Sequence, residues 1–427
     1  MTARSQDRFL QNRFFRFRTR ALVLLTVLTT VWTTSLNSQV AWGFQESAPI
    51  DQAITQSTDF LISQQADDGG WHSEHYGSMK QGAANTALIL YALSHLPHDQ
   101  LAAHADSIEK ARKFLVQGIE SKGCVANPEG SLDYPVYGTA LILTTHKRIG
   151  LKLTSKQIQA MVKYLVDCQC MEPRGFDTKN PNHGGWDILG TGSTQGKTSG
   201  ANVSVTYFVV EALSQFRPTG KTADQDPASA NRENENKLPE ELQRAVESAL
   251  TAAEKWCQRI FNGSKDGGFY FTSKQKSMLN KAGWQDEQMT RPNSYGSATC
   301  DGLSLLMQLN GNQPNERTKA SIGWLASHPG VETVPGFGNE VDSIGWPSSL
   351  RFYYAAALSR SLSLFEKDQS TRTKKAIVKQ LAQTQLTSGA WKNESSHMRE
   401  NDELIATPFG LMALLNCRAI ENQAGNQ

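Results

Sequence analysis

From residue 48 to about 420 the chain alternates between two kinds of helical segment. One kind is amphipathic, with Lys, Glu and Gln at helical spacing opposite an apolar stripe, as in KYLVDCQC (Lys163 to Cys170) and KWCQRIF (Lys255 to Phe261). The other is apolar on nearly every side, as in Ala87-Leu88-Ile89-Leu90-Tyr91-Ala92-Leu93. A helix that is apolar all round must be buried. Between the two stand a Gly-Gly-aromatic turn and a polar loop.

The unit recurs. Its clearest copy runs from FLISQQADDGGW (Phe60 to Trp71) into GAANTALILYALSHL from Gly82. A second passes through HGGW (His183 to Trp186) into ANVSVTYFVVEAL from Ala201, and a third through DGGFYF (Asp266 to Phe271) into YGSATCDGLSLLMQL from Tyr295. The last runs from QLAQTQLTSGAW (Gln380 to Trp391) into IATPFGLMALL from Ile405. Weaker copies lead into YPVYGTALILTTH from Tyr134 and WPSSLRFYYAAAL from Trp346, giving about six hairpins and twelve helices over 48–420. An inner ring of apolar helices inside an outer ring of amphipathic ones satisfies both patterns, and closing it leaves no exposed end repeats. The glycines and aromatics of the turns read mainly as parts that hold this ring together.

Three segments stand apart. Residues 217–239 are polar, rich in Pro and Asn and without apolar periodicity, which predicts a surface insertion. Residues 421–427 form a tail. Six Arg (Arg4, Arg8, Arg13, Arg16, Arg18, Arg20) precede an apolar stretch from Ala21 to about Trp32, which predicts an export signal over residues 1–41, cleaved or kept as an anchor. The stretch is shorter than the roughly 20 residues of a membrane span. Without residues 1–41 the chain carries 37 basic and 40 acidic residues, and nothing in it points to nucleic acid. Six scattered cysteines read as buried thiols with one bridge at most.

The spacing from Gln64 or Gln65 through Gly69-Gly70-Trp71 resembles the QW motif of squalene and hopene cyclases. The helix, Gly-Gly-aromatic turn and helix unit is similar to the repeat of protein prenyltransferase β subunits. Both resemblances cover nearly the whole of 48–420, and both imply an all-α (α/α)6 toroid. They also imply where chemistry would sit. Class II cyclases protonate their substrate with Asp-x-Asp-Asp leading into Thr-Ala. Here Gly82-Ala83-Ala84-Asn85 leads into Thr86-Ala87, so the carboxylates a general acid requires are missing. Prenyltransferases hold zinc with Asp-x-Cys on one inner helix and a His on another. Here Ala298-Thr299-Cys300-Asp301 keeps the Cys and displaces the Asp, and neither Ser349-Leu350-Arg351 nor Ala406-Thr407 supplies a His. No cofactor and no metal are expected, with zinc kept as an alternative.

If the inner helices run the same way, their N-termini meet at one mouth and favour anions. Basic residues feeding that mouth are Lys80, Lys197, Arg291 and Arg399, with Arg351 at a helix start; Asn85, Tyr295 and Tyr353 complete the candidate ligand-binding set. Tyr76, Trp346 and Phe352 are further candidates for an aromatic lining. Cys300 and Asp301 are the catalytic candidates, a thiol lowered by a helix N-terminus and a carboxyl raised by an apolar cavity. His75, His183 and His397 lie in loops without helical partners and specify no metal.

The expected function is an exported binding or scaffold module that recognises a lipid or isoprenoid, a protein or peptide, or a glycan. The alternative is an enzyme acting on an isoprenoid or other lipid in the central cavity. A carbohydrate-active toroid would show a polar cleft with paired carboxylates, and Asp67-Asp68 is the only conspicuous pair. The interior decides: an open aromatic cavity reaching Asp301 favours a lipid, and a filled ring favours a scaffold.

Overall fold

The computed structural model describes residues 42–126, 133–190, 200–217, 238–263, 266–338 and 345–425. The predicted signal, Lys197 and residues 218–237 of the predicted insertion lie outside them. The chain divides into two units, Met1–Ser47 and Ala48–Gln427, and the second carries the architecture described below.

The described residues form thirteen α-helices and no strand. Six apolar ones are α2 (Ala83–Leu93), α5 (Pro135–Thr145), α7 (Val203–Ser214), α9 (Gly296–Leu309), α11 (Arg351–Ser361) and α13 (Glu403–Gly425). Each packs on the next, and α13 packs back on α2, so they close a ring. All eleven residues of α2 are buried, as apolarity on every side requires. Helix α13 is the one described helix long and apolar enough to cross a membrane, but 67% of its stretch Glu403–Ile420 is packed inside the protein. The amphipathic partners are α1 (Trp42–Ser63), α4 (Ala105–Lys122), α6 (Ser155–Asp167), α8 (Glu240–Arg259), α10 (Glu316–Ser327) and α12 (Lys367–Thr384). They form the outer layer, and a short α3 (His98–Ala102) precedes α4. The architecture is the predicted (α/α)6 toroid.

The turns show why this sequence closes. In five hairpins a threonine one turn into the inner helix accepts a hydrogen bond from the backbone N–H of the turn before it. Thr86, Thr139, Thr206, Thr299 and Thr407 accept from Trp71, Val125, Trp186, Phe269 and Trp391 at 2.8–3.1 Å. In three of these hairpins the turn tryptophan also donates its indole N–H back to the preceding outer helix: Trp71 to Leu61, Trp186 to Leu165 and Trp391 to Leu381. A buried aromatic with its polar edge satisfied fastens the two helices of each hairpin.

Glutamines then tie one hairpin to the next. The Gln65 amide donates to Gly69 within its turn and to Ser107 on α4, and Gln169 donates to Gly184 and to Ala249 on α8. Gln385 donates to Gly389 and to Ala53 on α1, at 2.9 and 3.0 Å, and so joins the last hairpin to the first helix. The turns press closely on those helices. Gly69 (φ +91°) and Gly389 (φ +88°) adopt the left-handed conformation, and a Cβ on either would lie 2.4 or 2.3 Å from the carbonyl oxygen of Lys110 or Gln56. Only glycine fits both the backbone conformation and the close approach. The six cysteines are buried, and none forms a disulfide with another.

Candidate functional site

The N-terminal turns of the inner helices converge on a cavity of about 450 Å³. Tyr137 of α5, Ser204 and Val205 of α7, Ser297 of α9, Tyr353 of α11, and Ile405 and Phe409 of α13 line it, with Leu88 from α2 deeper in. Loops add Met79, Tyr134, Ile188, Phe271, Leu279, Lys281, Tyr295, Trp346 and Met398. The wall is mainly apolar, with seven Tyr, Phe and Trp side chains, and the volume lies in the range of about 300–1,000 Å³ usual for small-molecule sites.

A polar cluster seals one side. Asp301, with no solvent exposure, accepts hydrogen bonds from the Tyr353 and Ser204 hydroxyls at 2.6 and 2.7 Å, and Arg360 pairs with its other oxygen at 2.9 Å. The same guanidinium donates to Ser304 and lies 4.2 Å over the Tyr207 ring. Glu211 accepts from Tyr207 at 2.9 Å and from Tyr91 at 3.2 Å. Burial pushes the Asp301 carboxyl up, while Arg360 and the two hydroxyls pull it back. Two hydroxyls and a guanidinium, all donating, are the partners of an ionised carboxylate. Burial also raises Glu211 against the pull of Arg360. Burial lowers nearby His95, whose Nδ1 lies 2.9 Å from the Tyr91 carbonyl.

At the cavity edge Glu400 reaches across from the loop before α13 and accepts from the backbone N–H groups of Phe352 and Tyr353, capping α11. Arg399 sits between two tyrosine rings, 5.1 Å from Tyr76 and 5.2 Å from Tyr134, and Trp346 stacks on His397. Arg399 (φ 66°) and Tyr134 (φ 47°) both hold the left-handed conformation, a strain that the surrounding packing must sustain.

Glu400 makes stability depend on pH. Burial pushes its carboxyl up to about 7 from the usual 4.5, against the hydrogen bonds it accepts. The folded chain therefore binds more protons than the unfolded chain in that window, and its stability falls as pH rises from about 4.5 to about 7. Asp133, pushed up to about 7 by burial, adds to the same fall. Glu400→Gln is expected to reduce the slope, measured by urea unfolding at pH 5 and 7.5. An unchanged slope would assign the effect to other carboxyls.

The cavity gathers only some of the candidates. Tyr295 and Tyr353 line it, and Asp301 lies directly behind Tyr353 and Ser204. Lys80 is exposed and does not line it. Arg291 is an exposed loop residue 3.8 Å from Asp286, and Arg351 turns aside to the Lys392 carbonyl and the Phe352 ring. Among the described members of the expected basic rim, Arg399 reaches the cavity. Asn85 is buried within α2 with neither amide atom hydrogen-bonded, outside the lining. The start of α2 receives a carboxyl from the neighbouring hairpin instead, Asp133 accepting from the Ala84 N–H. Cys300 is corrected more sharply. It is the fifth residue of α9, past the free N–H groups of the first turn, and burial first and Asp301 second push its thiol up rather than down. Of the other lining candidates, Trp346 faces the cavity, while Phe352 packs into the core and the Tyr76 hydroxyl bonds to Asn401. His183 pairs with Glu172 away from the cavity. Among the described residues no three His, Cys, Asp or Glu side chains are grouped as a metal site requires.

Lys281, Tyr137, Ser204 and Glu400 were not singled out by the sequence. For Tyr137 and Ser204 a signal exists. Both stand two residues before the repeated threonine (Thr139, Thr206), and Asp301 stands two after Thr299, one helical turn further along the same face.

No family model matches the chain, and no curated protein matches it by sequence. Solved structures do. The type II terpene cyclase MstE from Scytonema, solved with the substrate geranylgeranyl dihydroxybenzoate, superposes with a TM-score of 0.53 at 11% identity, over 88% of this chain and 98% of that one. A protein from Actinoplanes gives 0.51 at 13% identity over 86% and 98%. An alpha-1,6-mannanase from Salegentibacter, with bound mannotetrose, gives 0.50 at 10% identity over 87% and 99%. At these identities the likeness is one of fold: the chain shares the α/α toroid of these structures.

Proposed function

We propose that this protein binds an elongated apolar lipid of isoprenoid character in the cavity at the centre of its ring. The observation that carries the reading is the cavity itself. A pure scaffold has no use for an unfilled space of about 450 Å³ walled by Tyr134, Tyr137, Phe271, Tyr295, Tyr353 and Phe409. Burying an apolar ligand there contributes about 0.8 kcal/mol per methylene. The apolar wall supports a lipid over a sugar, which would need many hydrogen-bonding groups. The isoprenoid substrate held by MstE supports the same ligand class. The basic and then apolar N-terminus supports an exported setting for this binding.

Binding without turnover accounts for the site better than cyclisation does. A cyclase needs an acid proton at the cavity face. Here Asp301 is covered by Tyr353 and Ser204 and paired with Arg360, and Glu400, although burial pushes its carboxyl up to about 7, is tied by both oxygens to the N–H groups of Phe352 and Tyr353 that it caps. Native mass spectrometry of the purified protein, together with titration of geranylgeraniol followed by tryptophan fluorescence, tests the reading. A co-purified lipid mass or a saturable response that manno-oligosaccharide does not give is expected. A bare protein mass with no response to geranylgeraniol would overturn it.

A further inference from the structure

The 271–281 segment brings one basic side chain into the cavity wall. Lys281 is only 9% exposed and lines the cavity beside Phe271 and Leu279, with its ammonium 3.5 Å from the centre of the Phe271 ring. Among the described residues it has no hydrogen-bond acceptor and no carboxylate partner. Arg360, behind the cavity wall, is paired with Asp301. An amine in an apolar wall without a counter-charge is costly, because burial disfavours the charged form and a ring face offsets only part of the loss. Its ammonium is accordingly pushed down to about 7 by burial alone.

We infer that Lys281 is the head-group anchor of the cavity, and that the ligand is an apolar carboxylic acid whose carboxylate pairs with the Lys281 ammonium while its hydrocarbon chain fills the aromatic space. This rests on the lipid-binding reading above and narrows it to one head group. The ligand supplies the acceptor and the negative charge that the protein withholds from this amine, and a charge-assisted hydrogen bond in a dry site is among the stronger ones. Lys281 is the lysine of the wall, and Arg399, which also lines the cavity, lies against the Tyr76 and Tyr134 rings. A diphosphate would call for several converging cations, and among the described members of the expected rim Lys80, Arg291 and Arg351 turn elsewhere. Among the described residues the Lys281 ammonium meets the Phe271 ring and no acceptor, so a ligand engages it without breaking a hydrogen bond or ion pair.

The test compares geranylgeranoic acid with geranylgeraniol, which share one hydrocarbon chain, by calorimetric titration of the wild-type protein and of Lys281→Met. The variant removes an unpaired buried cation and leaves a side chain of similar length, so it is expected to fold at least as well. Wild type is expected to bind the acid about tenfold or more tighter than the alcohol. Lys281→Met is expected to bind the two alike, the acid having lost its advantage over the alcohol. Equal affinity for acid and alcohol in wild type, or a preference for the acid that survives Lys281→Met, overturns the head-group assignment and leaves lipid binding intact. Failure of wild type to bind either compound overturns both.

Discussion

Arg360→Met is expected to cost about 3–5 kcal/mol of unfolding free energy, measured by urea denaturation near neutral pH, because it leaves a wholly buried carboxylate without its cation. Asp301 has no exposure, and Glu211, whose charge Arg360 also steadies, stands nearby. Methionine matches much of the arginine in length but offers neither donor nor charge. The two partners are not equivalent. The Arg360 side chain is 23% exposed, so Asp301→Asn leaves a cation that water still reaches and is expected to cost less. The double variant Arg360→Met/Asp301→Leu should recover part of the loss, since replacing a buried ion pair by apolar groups of similar volume is often close to neutral. A loss below about 1 kcal/mol for Arg360→Met would mean that Asp301 carries a proton in the fold, and the assignment of an ionised carboxylate would fail.

The second large effect is expected at the closing hairpin. Trp391 is fully buried, donates its indole N–H to Leu381 and its backbone N–H to Thr407, and packs so tightly that a Cβ on Gly410 would lie 2.5 Å from its ring. Trp391→Ala should destabilise by about 3–5 kcal/mol through the cavity it leaves, with the Leu381 carbonyl losing its donor as well. Trp346→Ala makes the contrast. That ring lines the ligand cavity and stacks on His397, and its loss should weaken ligand binding while moving the urea midpoint little. Equal losses of stability at the two positions would contradict the division between structural and ligand-facing tryptophans.

The architecture could be read from the chain because two local signals repeat. Helices such as Ala83–Leu93 have no polar face to turn outward, and the Gly-Gly-aromatic turns mark where each hairpin folds back. The site was legible only along the helices. Tyr353 and Asp301 lie on inner helices, where regular geometry carries a side chain to a known face. Lys281 and Glu400 lie in irregular loops. In the sequence Lys281 cannot be told from Lys274 or Lys276 in the same polar run, and only tertiary packing buries it while leaving the other two exposed. Lys80 and Arg291 went astray for the same reason in reverse. A loop that approaches the mouth in sequence order need not aim its side chains there. Cys300 and Asp301 show how fine the distinction is. Adjacent on one helix, they point about 100° apart, and only the carboxyl reaches the cluster behind the cavity.

The bond from Gln385 to the Ala53 carbonyl has a consequence for how the protein comes apart. In an open stack of hairpins the terminal one can peel away after breaking a single interface, and unravelling proceeds from there. Here every hairpin has neighbours on both sides, so the first to leave must break two interfaces at once, and each later one breaks only one. That first loss is the expensive step, which makes unfolding abrupt and denies the molecule a frayed edge.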